Sequence, residues 1–299
     1  MQEDLKQREM METIEKLDQV PQDGAPMISI SKVIEMIQEP FDQIGVATKT
    51  FEKHYDDDAS EYYHMSIEEI CNKWSEKGNE SKRYGAMLDE YIGHVLNKED
   101  EDLEIFNLDY DRDGDKRLDG ICSSFDDFIK DWLEENPSMV FVAREKNVYL
   151  KINNPLYKEG SGLSKWIYIR GRFDALFYDT DKKRYVIVDW KSSDSVDKKV
   201  SRWTTNLLGP MKAFPSLNWY TYTMQVYFYK TSLESEAYSI GDVDCIIVQL
   251  PGKIVTESMK RYCVHKPAFQ YDKDLMLKTY EYAYKKSMLL DNKKKKSES

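Results

Sequence analysis

The chain has 299 residues, 41% hydrophobic and 32% charged, with a formal net charge of −11. That length suits one large domain or two small ones with a proper core. The opening MQEDLKQREM has no apolar run and no stretch nears the ~18–20 apolar residues of a membrane span, which excludes a spanning helix and gives the expectation of a cytoplasmic protein without a secretion signal.

Residues 1–20 are charged, with Met11, Ile14 and Leu17 at helical spacing, and Pro21 with Asp23-Gly24 breaks the pattern. Ser29 or Ser31 caps a second helix, which Pro40 ends. The segment 50–80 is acidic; within it Ser66 and Glu69 make a capping box that opens a helix over 67–76. KRYGAMLDEYIGHVL, residues 82–96, is a further helical pattern with Gly85, Asp89 and Gly93 on one face. Glycines inside a helix cost roughly 1 kcal/mol each, so a close approach is expected there. Asp109 to Asp115 reads D-x-D-x-D-G-D, similar to the start of a calcium loop. Gly120 stands where the bidentate Glu belongs and Lys116 where an apolar residue belongs, so an acidic turn is the expectation and calcium the alternative. Residues 123–135 form an amphipathic helix ended by Pro137.

From Met139 the period changes to that of strands. Met139 to Ile152 is strand-like and carries Glu145. After a loop with Pro155, Gly160 and Gly162, residues 169–193 read as two strands joined by a charged turn. The first carries Gly171 and Asp174; the second buries Tyr185 to Val188 and ends in Asp189-Trp190-Lys191. Period-2 alternation sends Asp189 and Lys191 to one face and Trp190 to the other. Charges at the end of a buried strand need a partner or a metal. Two carboxylates and a lysine at one sheet end can hold a divalent cation and activate water. Residues 195–217 are irregular and basic (Lys198, Lys199, Arg202, Lys212), a candidate strand-binding or lid loop. Residues 218–230 are aromatic and Thr-rich, which by propensity alone predicts a strand. CIIVQLP is a further buried strand, 272–290 a Tyr-rich helix, and DNKKKKSES a solvated tail.

The charge is unevenly divided. Residues 1–140 carry 15 Lys/Arg against 36 Asp/Glu, a net of −21, whereas residues 141–299 carry 28 against 18, a net of +10. The half with the D-x-K sequence is therefore the basic one, as expected beside a phosphate backbone. Four cysteines, Cys71, Cys122, Cys245 and Cys263, form no C-x-x-C pair and read as reduced thiols.

G-x-x-D at Gly171–Asp174, followed by D-x-K at Asp189–Lys191, resembles the PD-(D/E)xK nuclease superfamily. Three further elements resemble its RecB-like exonuclease branch: Q-x-x-x-Y at Gln225 and Tyr229, the upstream Glu145, and G-x-x-x-D at Gly85–Asp89, where relatives carry His in the last position. Residues 206–232 resemble phage-encoded members, which would put the chain in the host cytoplasm. The resemblance implies an α+β, restriction-endonuclease-like αβββαβ core with a mixed central sheet flanked by helices. It would span residues 81–290, with a helical insertion at about 100–137, an N-terminal helical region over 1–80 and a disordered basic tail over 291–299. Residues 218–230 would then be a helix, against propensity.

The same resemblance implies Asp174, Asp189, Lys191 and Glu145 as catalytic residues. Asp89, Asp174, Asp189 and the Trp190 backbone carbonyl would ligate Mg²⁺ or Mn²⁺. Gln225 and Tyr229, with the basic loop at Lys198, Lys199 and Arg202, would contact DNA. Relatives that hold an iron–sulfur cluster use a C-terminal cysteine trio absent here, so no cluster is expected. The expected activity is metal-dependent hydrolysis of DNA, as an exonuclease on single strands or duplex ends in replication, recombination or repair, with a helicase or recombinase as a conceivable partner. The alternatives are a structure-selective endonuclease and a non-catalytic DNA-binding subunit.

Overall fold

The structure is a computed structural model that describes residue 12 and residues 14–97, 115–193, 196, 198–201, 204–251 and 262–297. Its centre is a six-stranded mixed sheet: β1 (Met27–Ser29), β2 (Met139–Asn153), β3 (Trp166–Asp179), β4 (Arg184–Lys191), β5 (Val243–Gln249) and β6 (Cys263–His265). Helices α1 (Ile30–Met36), α2 (Gln43–His54), α3 (Ile67–Asn97), α4 (Lys116–Glu135), α5 (Asn218–Leu233) and α6 (Lys273–Ser297) surround it. From α3 onward the order contains the αβββαβ core of the restriction-endonuclease-like fold.

Alternation along β4 divides the core into two layers. Tyr185 and Ile187 join the cluster built by α1, α5 and α6, whereas Val186, Val188 and Trp190 join the one built by α3 and α4. The Trp190 ring meets Phe125 and Phe128 of α4 at 5.4 and 5.7 Å. Asp189 and Lys191 therefore face α5, as the period-2 pattern predicts.

The sheet forks at β3. Strand β2 follows one edge over the full length, antiparallel, from Asn153 opposite Trp166 to Met139 opposite Asp179. The other edge is shared: β1 pairs in parallel with Tyr168–Arg170, and β4 pairs antiparallel with Ala175–Asp179. Residues 171–174 lie between these two partners, and the catalytic motif occupies this gap. Strand β4 continues past the fork beside β5, with Lys191 opposite Gln249.

Three expectations change. The helices expected at 67–76 and 82–96 are one 31-residue helix, so a boundary at residue 80 falls inside it. The polar run around Gly78 lacks an apolar stripe, but its propensity cost of roughly 1 kcal/mol or less per residue is overridden by the packed ends. The capping box at its start is present, with Glu69 accepting from the Ser66 backbone amide at 2.7 Å. The region 1–80 also contributes a strand, β1, whose Ser29 caps α1 by accepting from the Lys32 amide at 3.1 Å. The tail is not all irregular: α6 runs on to Ser297. The segment 109–114 lies outside the described residues; Asp115 caps α4 by accepting from the Arg117 and Leu118 amides. The four cysteines are free thiols, and no described helix is long and apolar enough to cross a membrane.

Candidate active site

A cavity of about 430 Å³ opens at the fork, between α3 and the sheet. Its lining includes Gly85 and Asp89 from α3, Glu145 from β2, Arg170, Gly171, Arg172 and Asp174 from β3, Trp190 and Lys191 from β4, and Gln225 and Tyr229 from α5. Seven of the candidate ligand, catalytic and DNA-contacting residues named from the sequence, with the motif glycines Gly85 and Gly171, thus converge from five elements. Asp189 lies at the base, with no exposed surface.

Burial positions the base of the site. Asp189 pairs with Lys191 Nζ at 2.5 Å through Oδ2, and its Oδ1 is buried without a donor among the described residues. Asp174 accepts the Trp190 main-chain N–H at 2.7 Å, which ties the two arms of the fork together. Burial, then the neighbouring Asp189 charge, pushes the Asp174 carboxyl well above the usual carboxylate range. Burial also raises Asp189, opposed by Lys191. Burial alone would lower Lys191, but Asp189 and Asp174 outweigh it and the ammonium is held above its ordinary value. Lys191 donates to Gln225 Oε1 at 3.4 Å and lies over the Tyr222 ring at 4.9 Å. Gln225 donates in turn to the Tyr229 hydroxyl at 2.8 Å. The helical form of α5 makes this relay possible, because residues four apart share a face.

The rim carries two arginine–carboxylate pairs. Arg172 holds Glu145 at 2.6 Å, and Arg144 reaches Asp89 at 3.6 Å while donating to the Asp89 main-chain carbonyl at 2.6 Å. Glu145 and Asp89 are both raised from their ordinary values, first by burial and, for Glu145, next by Asp89. Arg144 opposite Ala175 and Lys146 opposite Phe173 set Glu145 across from Asp174. Glu145 sits at φ +51°, inside an otherwise extended strand. That left-handed conformation costs a non-glycine residue roughly 1–2 kcal/mol, which the surrounding pairing must offset.

The glycines have separate reasons. A Cβ at Gly93 would lie 2.5 Å from Arg144 Nη1, so Gly93 makes room for the guanidinium. A Cβ at Gly171 would lie 2.5 Å from Phe228 and 2.9 Å from Tyr229, so Gly171 lets α5 pack down on β3. A Cβ at Gly85 would meet only Ser192 Oγ, at an ordinary 3.8 Å.

Lys198 and Lys199 do not line the cavity, and Arg202 lies outside the described residues. Lys198 approaches His265 Nδ1 at 2.5 Å and the Trp219 ring at 4.8 Å. His265 meets Gln249 at 2.9 Å, and Gln249 donates to the Ser193 carbonyl at 3.0 Å, so this network anchors the loop after Lys191. Sequence reasoning missed Arg144, Arg170 and Arg172. The signal was available in Arg170-Gly171-Arg172-Phe173-Asp174, whose arginines alternate in step with Asp174.

The donor set suits a hard divalent cation. Two carboxylates share the base, one with an unpartnered buried oxygen, and their mutual repulsion is relieved by positive charge. Among the described residues no three His, Cys, Asp or Glu side chains form a ready-made cage.

The family model of the PD-(D/E)XK nuclease superfamily matches residues 51–286, and the chain belongs to that superfamily. Membership implies nuclease activity with divalent metal ions, and DNA as substrate. No curated protein matches the chain.

Proposed function

We propose that the chain is a deoxyribonuclease of the RecB-like branch, acting as an exonuclease on single strands or DNA ends with Mg²⁺ or Mn²⁺. The observation that carries this reading is the Asp189–Lys191–Gln225–Tyr229 relay at the base of a cavity also lined by Asp174. Asp174 and Asp189 are the proposed primary ligands, with the Trp190 carbonyl beside them and Asp89 and Glu145 at the rim. So few protein oxygens suit Mg²⁺, which keeps several waters. The bound cation would lower the pKa of water and neutralise charge on the phosphate.

The remaining work falls to the protein. Lys191, whose ammonium is favoured by Asp189 and Asp174, serves in this reading to orient the attacking water and to stabilise the charge that builds on the phosphoryl oxygens. Gln225, anchored by the buried Tyr229, fixes the position of Lys191 Nζ. Water is the attacking group in this reading, which assigns no covalent role to the Ser192 or Tyr229 hydroxyls that also line the cavity.

The test is digestion of end-labelled single- and double-stranded DNA with Mg²⁺ or Mn²⁺, beside an EDTA control and the Asp189→Ala protein. Mononucleotides or short oligomers from the wild type alone support the proposal. Internal cuts in closed circles would assign an endonuclease instead. Binding without any cleavage would leave a DNA-binding module.

A further inference from the structure

We propose that Arg170 and Arg172 form a phosphate track that holds two successive phosphates of the DNA strand entering the cavity, and that Arg172 joins the track only when a cation has taken Glu145 from it. This rests on the nuclease reading and adds the route of the substrate. Both arginines lie on β3, two residues apart, in step with Asp174. Side chains at that spacing emerge about 7 Å apart, comparable to consecutive phosphates on an extended strand. Both are exposed, and both line the cavity. Arg170 also lines a second depression with Lys32, Met27 and Ser29, so its guanidinium lies where a strand would leave the cavity along β1.

The two residues differ in what holds them. Arg170 has no ion-pair partner among the described residues, although it stands beside a cavity edged by carboxylates. Arg172 is 58% exposed yet bound to Glu145, which is 17% exposed. A guanidinium presents a planar fork to carboxylate or phosphate equally well. When a divalent ion engages the Glu145 oxygens, the Arg172 fork loses its partner and turns to the next available anion, the backbone phosphate. The free protein thus keeps Glu145 neutralised, and the loaded protein offers two cations in register.

The measurement is the salt dependence of oligothymidylate binding, read by fluorescence anisotropy in EDTA and again in calcium, with oligomer integrity checked after each titration. Each phosphate contact on a single strand contributes about 0.7 to the slope of log K against log salt. Arg170→Gln should lower the slope by about 0.7 in both conditions. Arg172→Gln should lower it by about 0.7 in calcium and leave it unchanged in EDTA. Lys183→Gln, an exposed cation at the turn beyond the opposite end of β3, should leave it unchanged throughout.

Wild-type slopes in both arginine variants, or no oligonucleotide binding by the wild type, would overturn the track. A slope for Arg172→Gln that ignores calcium would overturn the exchange with Glu145. Digestion with Mg²⁺ on the same preparations keeps the two ideas apart. Cleaving wild type with unaffected arginine variants refutes the track and spares the nuclease reading. Expected slopes without cleavage do the reverse.

Discussion

Replacing Gly171 with alanine should damage the site from behind. The added methyl would lie 2.5 Å from Phe228 Cε1, 2.9 Å from Tyr229 Cε1 and 3.0 Å from Phe228 Cδ1. Neither ring has room to retreat. Phe228 and Tyr229 are 0% and 1% exposed, and Phe228 is backed by Tyr280 at 6.0 Å, Tyr229 by Phe173 at 6.3 Å. Overpacking of this kind costs about 1–3 kcal/mol. Alanine recovers roughly 0.5 kcal/mol over glycine within a strand. The net loss is then about 0.5–2.5 kcal/mol, a fall in Tm of about 1–4 °C for a chain of 299 residues. Activity should suffer more, because the strain displaces α5 and Gln225 lies one turn before Phe228. The Lys191–Gln225 contact is already 3.4 Å, and a misplacement of about 1 Å can cost on the order of 10² in rate. Thermal unfolding and cleavage assayed well below the melt separate the two effects. Phe228→Leu in the same chain should restore part of both, giving a non-additive double-mutant cycle. A Gly171→Ala protein with wild-type Tm and rate, or strictly additive double mutants, would refute the close-packing argument.

Asp174→Asn should abolish cleavage, a loss of at least about 10²–10³ in rate. In EDTA the same protein should melt above the wild type at pH 8. The native Asp174 carboxyl is raised above the unfolded value of 3.8, so its ionisation in the folded state opposes folding as pH climbs above that value; the advantage should vanish as pH falls well below it, where both states hold the proton. Gly93→Ala should drive the Arg144 guanidinium off Asp89, losing roughly 1.5–3 kcal/mol of charge-assisted hydrogen bond against ~1 kcal/mol of helix propensity regained; denaturant unfolding would show a wild-type midpoint if the contact is worthless. Asp179→Ala should destabilise the β3–β4 turn by about 2 kcal/mol while leaving the cleavage rate at low temperature within twofold, since Asp179 Oδ1 accepts from Ser138, Asp181 and Lys182. The Asp179 carboxyl is depressed to about 2, chiefly by the Lys182 amide, so its contribution is present above the unfolded value and is lost as pH falls toward 2 in acid-melt profiles.

The central strands were legible because their apolar runs have a plain physical signature, and the alternation through Asp189, Trp190 and Lys191 placed each side chain on its correct face. Helix α5 was not legible from propensity; its Thr and aromatic residues suit a strand, and only the Gln225–Tyr229 spacing in a family pattern indicated a helix. Buried helices lack the polar stripe that would mark their period. Strand β1 escaped because three residues carry no periodicity, and it exists through pairing with Tyr168–Arg170. The carboxylates were found as chemistry, but the arginines that neutralise them were not. Which cation reaches Asp89 depends on Arg144 crossing from a strand to a helix 55 residues earlier in the chain.

The unbroken α3 has a mechanical consequence. Its 31 residues make a rod about 46 Å long, with Asp89 about 33 Å from the capped end at Ile67. A tilt of roughly 2° at that end sweeps Asp89 through about 1 Å, a displacement on the scale that can spoil catalysis a hundredfold. The Ser66–Glu69 cap and the Arg144 guanidinium seated against Gly93 act as the two bearings of this rod. The tolerance of the cleavage site is thereby set in part by residues that never come near a phosphate.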